Sequence, residues 1–262
     1  MEQNKQTRFV IISTVYNKGK FIQYNVNSIK QQSYTNYLAV YGYDKSTDDT
    51  LDHLKYAIQG DDKFIIHHNE NPGCYLNCFM STYKFLRENK LINRDDVIVE
   101  VDGDDWLLHS FVLQHINDVY QHNSDIWMTY GQYLAYPTGE YGGHIHLSLN
   151  DYVDQHNIYR YSEFPYSHLK TYKAFLMDNI TDDDLTDPET GKYFNAAADF
   201  ALCMPLVEQA GKSRIHRIDE PTYVYNTSAD LESETNNRLS LQKEVEMRIR
   251  KIPPKKRLII KP

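Results

Sequence analysis

Apolar and polar positions run along the first hundred residues in two alternating rhythms. Four short apolar runs have the length and β-branched content of buried strands: Arg8–Ser13 (RFVIIS), Tyr37–Tyr43 (YLAVYGY), Lys63–His67 (KFIIH) and Asp96–Val101 (DVIVEV). Between them the spacing changes to that of helices. Ile22, Val26 and Ile29 fall at i, i+4 and i+7 and predict a helix to about Gln31. Ser46-Thr47-Asp48-Asp49 supplies capping oxygens and first-turn acids ahead of Leu51 and Leu54. Pro72-Gly73 breaks the chain, and Leu76, Phe79, Tyr83 and Leu86 then mark a helix from Tyr75 to about Asn89.

Strands alternating with helices predict an α/β fold, a parallel sheet covered on both faces. Ligands of such sheets bind at the carboxyl ends of the strands. The polar residues there are Thr14, Tyr16 and Asn17 after the first strand, Asp44 after the second, and Asp102-Gly103-Asp104-Asp105 after the fourth. The second half is less regular. Asp125–Tyr136 reads as a strand, Pro137–Gly143 as a turn, and Thr181–Gly191 as an acidic loop. Asn195–Ala210 reads as a helix despite Pro205, ending at Gly211. Arg214–Asp219 and Thr222–Asn226 read as two short strands, and Glu232–Lys251 as a charged helix.

At 262 residues, 41% of them hydrophobic and 24% charged, the chain fits one globular domain with a tail. The expected division is a domain over 1–230, with a ligand-binding half at about 8–106 and a second half at about 107–230, followed by a helical tail over 231–262. The net charge of −8 opposes broad nucleic-acid binding, which needs a positive surface. The one basic stretch, Arg248–Arg257 (RIRKIPPKKR), reads as a solvated tail. Cys74, Cys78 and Cys203 show neither disulfide nor zinc spacing, which suits a reducing compartment. The polar N-terminus and the absence of an apolar run near 20 residues predict a soluble, cytoplasmic protein without a signal peptide or integral membrane segment. Tyrosine is abundant, 22 against 10 Phe, and its ring with a hydroxyl tip suits sugars and bases as well as ordinary packing.

Three carboxylates in four positions repel one another. A hard divalent cation, Mg²⁺ or Mn²⁺, relieves that repulsion and can bridge a diphosphate. A solvated acidic turn or helix start accounts for the same residues without an ion.

Four motifs in order bear on that choice: Thr14-Val15-Tyr16-Asn17, Ser28–Tyr34 (SIKQQSY), Tyr43–Thr50 (YDKSTDDT) and Asp102–Asp105 (DGDD). Together they resemble the motif series of family 2 glycosyltransferases over residues 8 to 106, and more loosely to about 226. Tyr43 and Lys45 stand where that family has an acid and a glycine. The resemblance implies a GT-A fold, a mixed, mainly parallel sheet flanked by helices. It implies transfer of a sugar, with inversion, from a nucleotide diphosphate sugar, UDP by default, to a hydroxyl of a glycan or glycoconjugate. In that reading Thr14, Tyr16 and Asn17 line the nucleotide pocket and Asp44 accepts from the base. Asp102 sits near the ribose and the metal, and Asp104 ligates Mn²⁺ or Mg²⁺. Asp199, in Ala197–Leu202, matches the acid that deprotonates the acceptor. Asp182, Asp183 and Asp184 are rivals for that role.

Ser167–Thr171 (SHLKT) resembles an element of one branch of the family. His168 or Lys170 there either reaches the diphosphate or acceptor, or belongs to a helix start. His144 and His146 read as loop residues, and His216 is a weak candidate for a third metal ligand. Two other classes remain in view: a nucleotidyltransferase, which would use a glycine-rich basic loop of which Asn17–Lys20 is a faint echo, and a non-catalytic nucleotide- or carbohydrate-binding module, which would not need an intact acidic cluster.

Overall fold

The computed structural model describes residues 6–142, 150–228 and 235–259, with backbone alone for 235–239. The strands and helices follow in the order β1 (Phe9–Val15), α1 (Ile22–Lys30), β2 (Tyr37–Tyr43), α2 (Thr50–Ile58), β3 (Phe64–His68), α3 (Tyr75–Glu88), β4 (Val97–Glu100), β5 (Trp106–Leu107), α4 (Val112–His122), β6 (Met128–Tyr136), β7 (Tyr141–Gly142), α5 (Asp151–His156), β8 (Thr171–Lys173), α6 (Asp182–Leu185), β9 (Thr186–Asp187), β10 (Lys192–Tyr193), α7 (Ala198–Ala210), β11 (Ile215–Asn226) and α8 (Thr235–Ile249).

One sheet carries the order β3-β2-β1-β4-β8-β6-β11-β5, with β7 hanging on β6. The β3-β2-β1-β4 half is parallel throughout, and β8 enters antiparallel between β4 and β6. β1 lies between two partners and is buried on both faces, so it is apolar at almost every position. Its residues alternate sides: Val10 and Ile12 join one core with α3 and α7, and Phe9, Ile11 and Val15 join the other with α1 and α4. The helical spacings in the sequence are the stripes that cover it. Ile22, Val26 and Ile29 of α1 meet the second core, and Leu76, Phe79, Tyr83 and Leu86 of α3 meet the first.

Several sequence expectations change. The acidic stretch 181–191 is not a plain loop. Thr181 and Asp184 close a capping box over α6, and β9 pairs with β10 in a hairpin that turns at Gly191, φ 66°. The two expected strands at 214–226 are one strand, β11, whose register on β6 is irregular around Pro221, a residue with no N–H to donate. Residues 167–171 start no helix; Thr171 opens β8, between β4 and β6.

The basic stretch is only partly solvated. Val245 and Ile249 of α8 are buried in the first core, and the chain beyond straps across α7. Arg250 lies over the Phe200 ring, Lys255 reaches Asp184 at 2.7 Å and Arg257 reaches Asp154 at 2.6 Å. Under the strap, fully buried Arg160 meets Glu208 through two bonds of 2.6 and 3.1 Å. Gly211 ends α7 at φ 73°, and a Cβ there would lie 2.5 Å from Arg257 Nε, so the residue serves both the turn and the strap. No helix among the described residues is long and apolar enough to cross a membrane. His144, His146 and the expected boundary near residue 230 lie outside the described residues.

Candidate active site

The loops after β1 and β2 are sewn together. Asn17 takes a left-handed backbone, φ 52°, its N–H donates to Ser46 Oγ (3.0 Å), and its Oδ1 accepts from Thr47 N (2.8 Å). Lys18 N donates to Thr50 Oγ1 (2.7 Å). Asn17 therefore shapes the loop through its own side chain, while Tyr16 beside it stands 52% exposed with its ring free of the core. Asp44 is buried at the end of β2. It accepts from Asn69 Nδ2 (2.9 Å) and from Gly73 N (3.3 Å), which anchors the segment after β3. A carboxylate has about four acceptor positions, so two remain for a ligand.

The acidic loop is held from below. Asn25 of α1 donates through Nδ2 to the carbonyls of Asp102 and Asp105, both at 2.8 Å, and its Oδ1 accepts from Tyr41 OH. Asp102 N donates to Tyr223 OH (3.0 Å). The loop packs so closely on the end of β1 that a Cβ on Gly103 would sit 2.4 Å from Val15 Cγ1 and 2.8 Å from Thr14 O.

The three acids then divide. Asp105 is buried, accepts from Asn226 N (2.8 Å), and is pushed up to about 9 by burial and by Asp102 and Asp104. It is a structural acid. Asp102 and Asp104 are partly open, and Lys18 Nζ contacts Asp104. Burial, then Asp199, raises the Asp102 carboxyl above the ordinary range, with Lys170 opposing.

Asp199 lies in the first turn of α7 but caps no N–H. Its Oδ1 accepts instead from Lys170 Nζ at 2.7 Å, with the lysine side chain 3% exposed and the aspartate side chain 49% exposed. Burial would raise the Asp199 carboxyl, yet Lys170, aided by His168, holds it below the ordinary range. Lys170 keeps its proton although burial opposes it, because Asp199, Glu100 and Asp102 surround it. Glu100 is buried, with Tyr75 OH at 3.5 Å.

The structure thus gathers Asp102, Asp104 and Asp199 with Glu100, Lys170 and Lys18 at the carboxyl end of β4. Two of the three rivals are engaged elsewhere. Asp184 is spent on the capping box and Lys255, and Asp182 on Tyr193 and Lys84. His216 is near the opposite end of β11, roughly 30 Å of strand from Asn226, in a cavity with His115, Asp118 and His122. It is no ligand of this site.

Four acidic groups (Asp102, Asp104, Glu100, Asp199) face two ammonium groups, an imbalance that a divalent cation fits. Among the described residues no three His, Cys, Asp or Glu side chains are grouped to hold an ion unaided. An ion here would take Asp102 and Asp104 and complete its shell from ligand oxygens and water, the manner of Mg²⁺ and Mn²⁺.

Glu100, Asn25 and Tyr223 were not singled out from sequence, and Lys18 entered only within the Asn17–Lys20 loop. Only Glu100, a charge inside an apolar strand run, carried a signal.

Residues 10–84 match the model of glycosyl transferase family 2. Over that stretch the chain is similar to family 2 glycosyltransferases. Its fold is GT-A, as similar solved structures show. S. aureus TarS 1–349 with UDP superposes at a TM-score of 0.64 and 18% identity, covering 93% of this chain and 64% of that one. Glucosyl-3-phosphoglycerate synthase from Mycobacterium tuberculosis, with Mn²⁺, UDP and glucosyl-3-phosphoglycerate, gives 0.60 and 14%, over 96% and 82%. A mannosyltransferase from Pyrobaculum calidifontis, with GDP-Man and Mn²⁺, gives 0.56 and 13%, over 85% and 58%. The chain thus spans a little under two thirds of TarS 1–349. No curated protein sequence matches it significantly.

Proposed function

We propose that the domain transfers a sugar, with inversion, from a nucleotide diphosphate sugar to a hydroxyl of a glycan or glycoconjugate. The observation that carries this is the meeting of partly open Asp102 and Asp104 with half-exposed Asp199 on one acidic floor. UDP is the favoured nucleotide. Two GT-A neighbours bind it, and Tyr16 and Asp44 offer a ring face and an acceptor for a base N–H. Thr14 and Asn17 complete that wall.

Asp199 is the general base. Lys170 occupies its Oδ1 and leaves Oδ2 for the acceptor hydroxyl. As the acceptor oxygen bonds to the anomeric carbon, its proton passes to Asp199, and the bond from that carbon to the diphosphate oxygen breaks. A single displacement inverts the anomeric centre. Mn²⁺ or Mg²⁺ on Asp102 and Asp104 would supply charge neutralisation for the leaving diphosphate. Lys18, on Asp104 here, is within reach of the same charge.

The test is release of UDP from a panel of UDP-sugars with Mn²⁺, with and without oligosaccharide acceptors. Turnover that is lost in Asp104→Ala and Asp199→Asn supports the proposal. Wild-type turnover that is undiminished in Asp199→Asn removes the assigned base.

A further inference from the structure

Residues on both sides of the β11 terminus form an exposed aromatic strip. Trp106 has its ring 5.4 Å from Tyr24 of α1 and 5.2 Å from Tyr136 of β6. Tyr24 is 59% and Tyr136 is 42% exposed, although rings in mutual contact are the groups burial would ordinarily cover.

Strand register shows which way the strip faces. Tyr223 and Tyr225 of β11 pack toward the core under α1 and α4. Val224 between them points to the other side of the sheet, and so do its partners Trp106 and Leu134, with Tyr136 two residues further on. Ile98 and Tyr172 belong to the core on that other side, which places Glu100 and Lys170, each two residues away, there too. Trp106 and Tyr136 therefore share a sheet face with the Lys170–Asp199 pair, and Tyr24 meets Trp106 from α1 at the edge strand β5. It is also tied to the acidic loop: Thr227 donates to Tyr136 O through N and Oγ1 (2.9 and 2.7 Å), and neighbouring Asn226 donates through Nδ2 to Asp104 O (3.2 Å).

We propose that Tyr24, Trp106 and Tyr136 form a stacking platform for the acceptor, and that the acceptor is an uncharged saccharide chain; this rests on the transferase reading above. A pyranose has an apolar C–H face and a hydroxyl rim. Tyrosine and tryptophan rings match both, with an apolar face and a polar edge, and fix few rotamers in doing so. Beside the strip, Asp102, Asp104 and Asp199 outnumber the ammonium groups of Lys18 and Lys170 paired with them, which disfavours an anionic chain.

The experiment titrates cellotetraose, chitotetraose and maltotetraose, without donor, into the wild type and the double variant Tyr24→Ala/Tyr136→Ala, reading tryptophan fluorescence. The expected result is saturable quenching by at least one tetramer, about tenfold weaker in the double variant, which keeps its melting temperature. Equal binding by the double variant, or no binding of any tetramer by wild type that UDP and Mn²⁺ still stabilise, overturns the platform. Self-association or peptide capture abolished by the same double substitution assigns the strip to protein docking and overturns it as well. Saccharide binding that persists where no nucleotide binds supports the platform and removes the transferase reading instead.

Discussion

Replacing Lys170 by methionine removes the cation from the centre of the acidic floor and leaves a side chain of similar length. Breaking a buried ion pair costs about 3–5 kcal/mol. Asp199 is half exposed and regains water, so its share is discounted; Glu100, buried and already raised by burial, takes up a proton. The expected loss is about 2 kcal/mol, or about 5 °C in Tm for a domain of this size. The catalytic effect is larger. Asp199 loses the bond that aims its free oxygen, and a misplacement near 1 Å costs about a hundredfold in kcat. Donor KM stays within about threefold. The pH profile separates positioning from simple destabilisation. In the wild type Asp199 is held below its ordinary value, so it is ionised throughout the neutral range. The stability this contributes is present above the unfolded-state value and is lost as pH falls through the folded one. Without Lys170 the Asp199 carboxyl rises, and the acid limb of the kcat profile moves to higher pH. Lys170→Arg, which keeps the charge, restores most of the limb's position. Steady-state kinetics from pH 4 to 8 decides; kcat within threefold of wild type and an unmoved acid limb in Lys170→Met would refute the reasoning.

Asn25→Ala deletes two 2.8 Å bonds to the acidic loop and orphans Tyr41 OH, so urea unfolding should show a loss of about 2–4 kcal/mol. Gly103→Ala forces a Cβ against Val15 and the Thr14 carbonyl; a loss of about 1–3 kcal/mol is expected in the same assay, partly recovered by Val15→Ala. Glu208→Ala leaves fully buried Arg160 without its carboxylate and should cost about 3–5 kcal/mol, with nucleotide affinity of the folded fraction unchanged.

The strands and helices of the first hundred residues were legible because the strands are buried on both faces and the helices on one, so hydrophobic spacing alone separates them. The acidic loop was legible because it ends such a strand. What escaped depends on contacts distant in sequence. Asn25 reads as a polar residue on a helix until the loop after β4 settles on it, 77 residues further on. Lys170 reads as a residue that reaches the diphosphate or acceptor, or as part of a helix start; its pairing with Asp199 appears only when β8 inserts between β4 and β6 and buries it there. The Arg248–Arg257 stretch looked solvated because its partners, Asp154, Asp184 and Glu208, are scattered along the chain.

The central claim is that this acidic floor binds a nucleoside diphosphate through a divalent cation. Thermal unfolding with UDP, GDP, CDP or dTDP, each with Mn²⁺ or EDTA, on wild type and Asp104→Ala, tests it most directly. A ligand at about 100 times its dissociation constant adds about 2.7 kcal/mol, several degrees for this domain. The account predicts a rise of that size with UDP and Mn²⁺, absent with EDTA and absent in Asp104→Ala. A well-folded wild type that no diphosphate stabilises, with or without Mn²⁺, would contradict it.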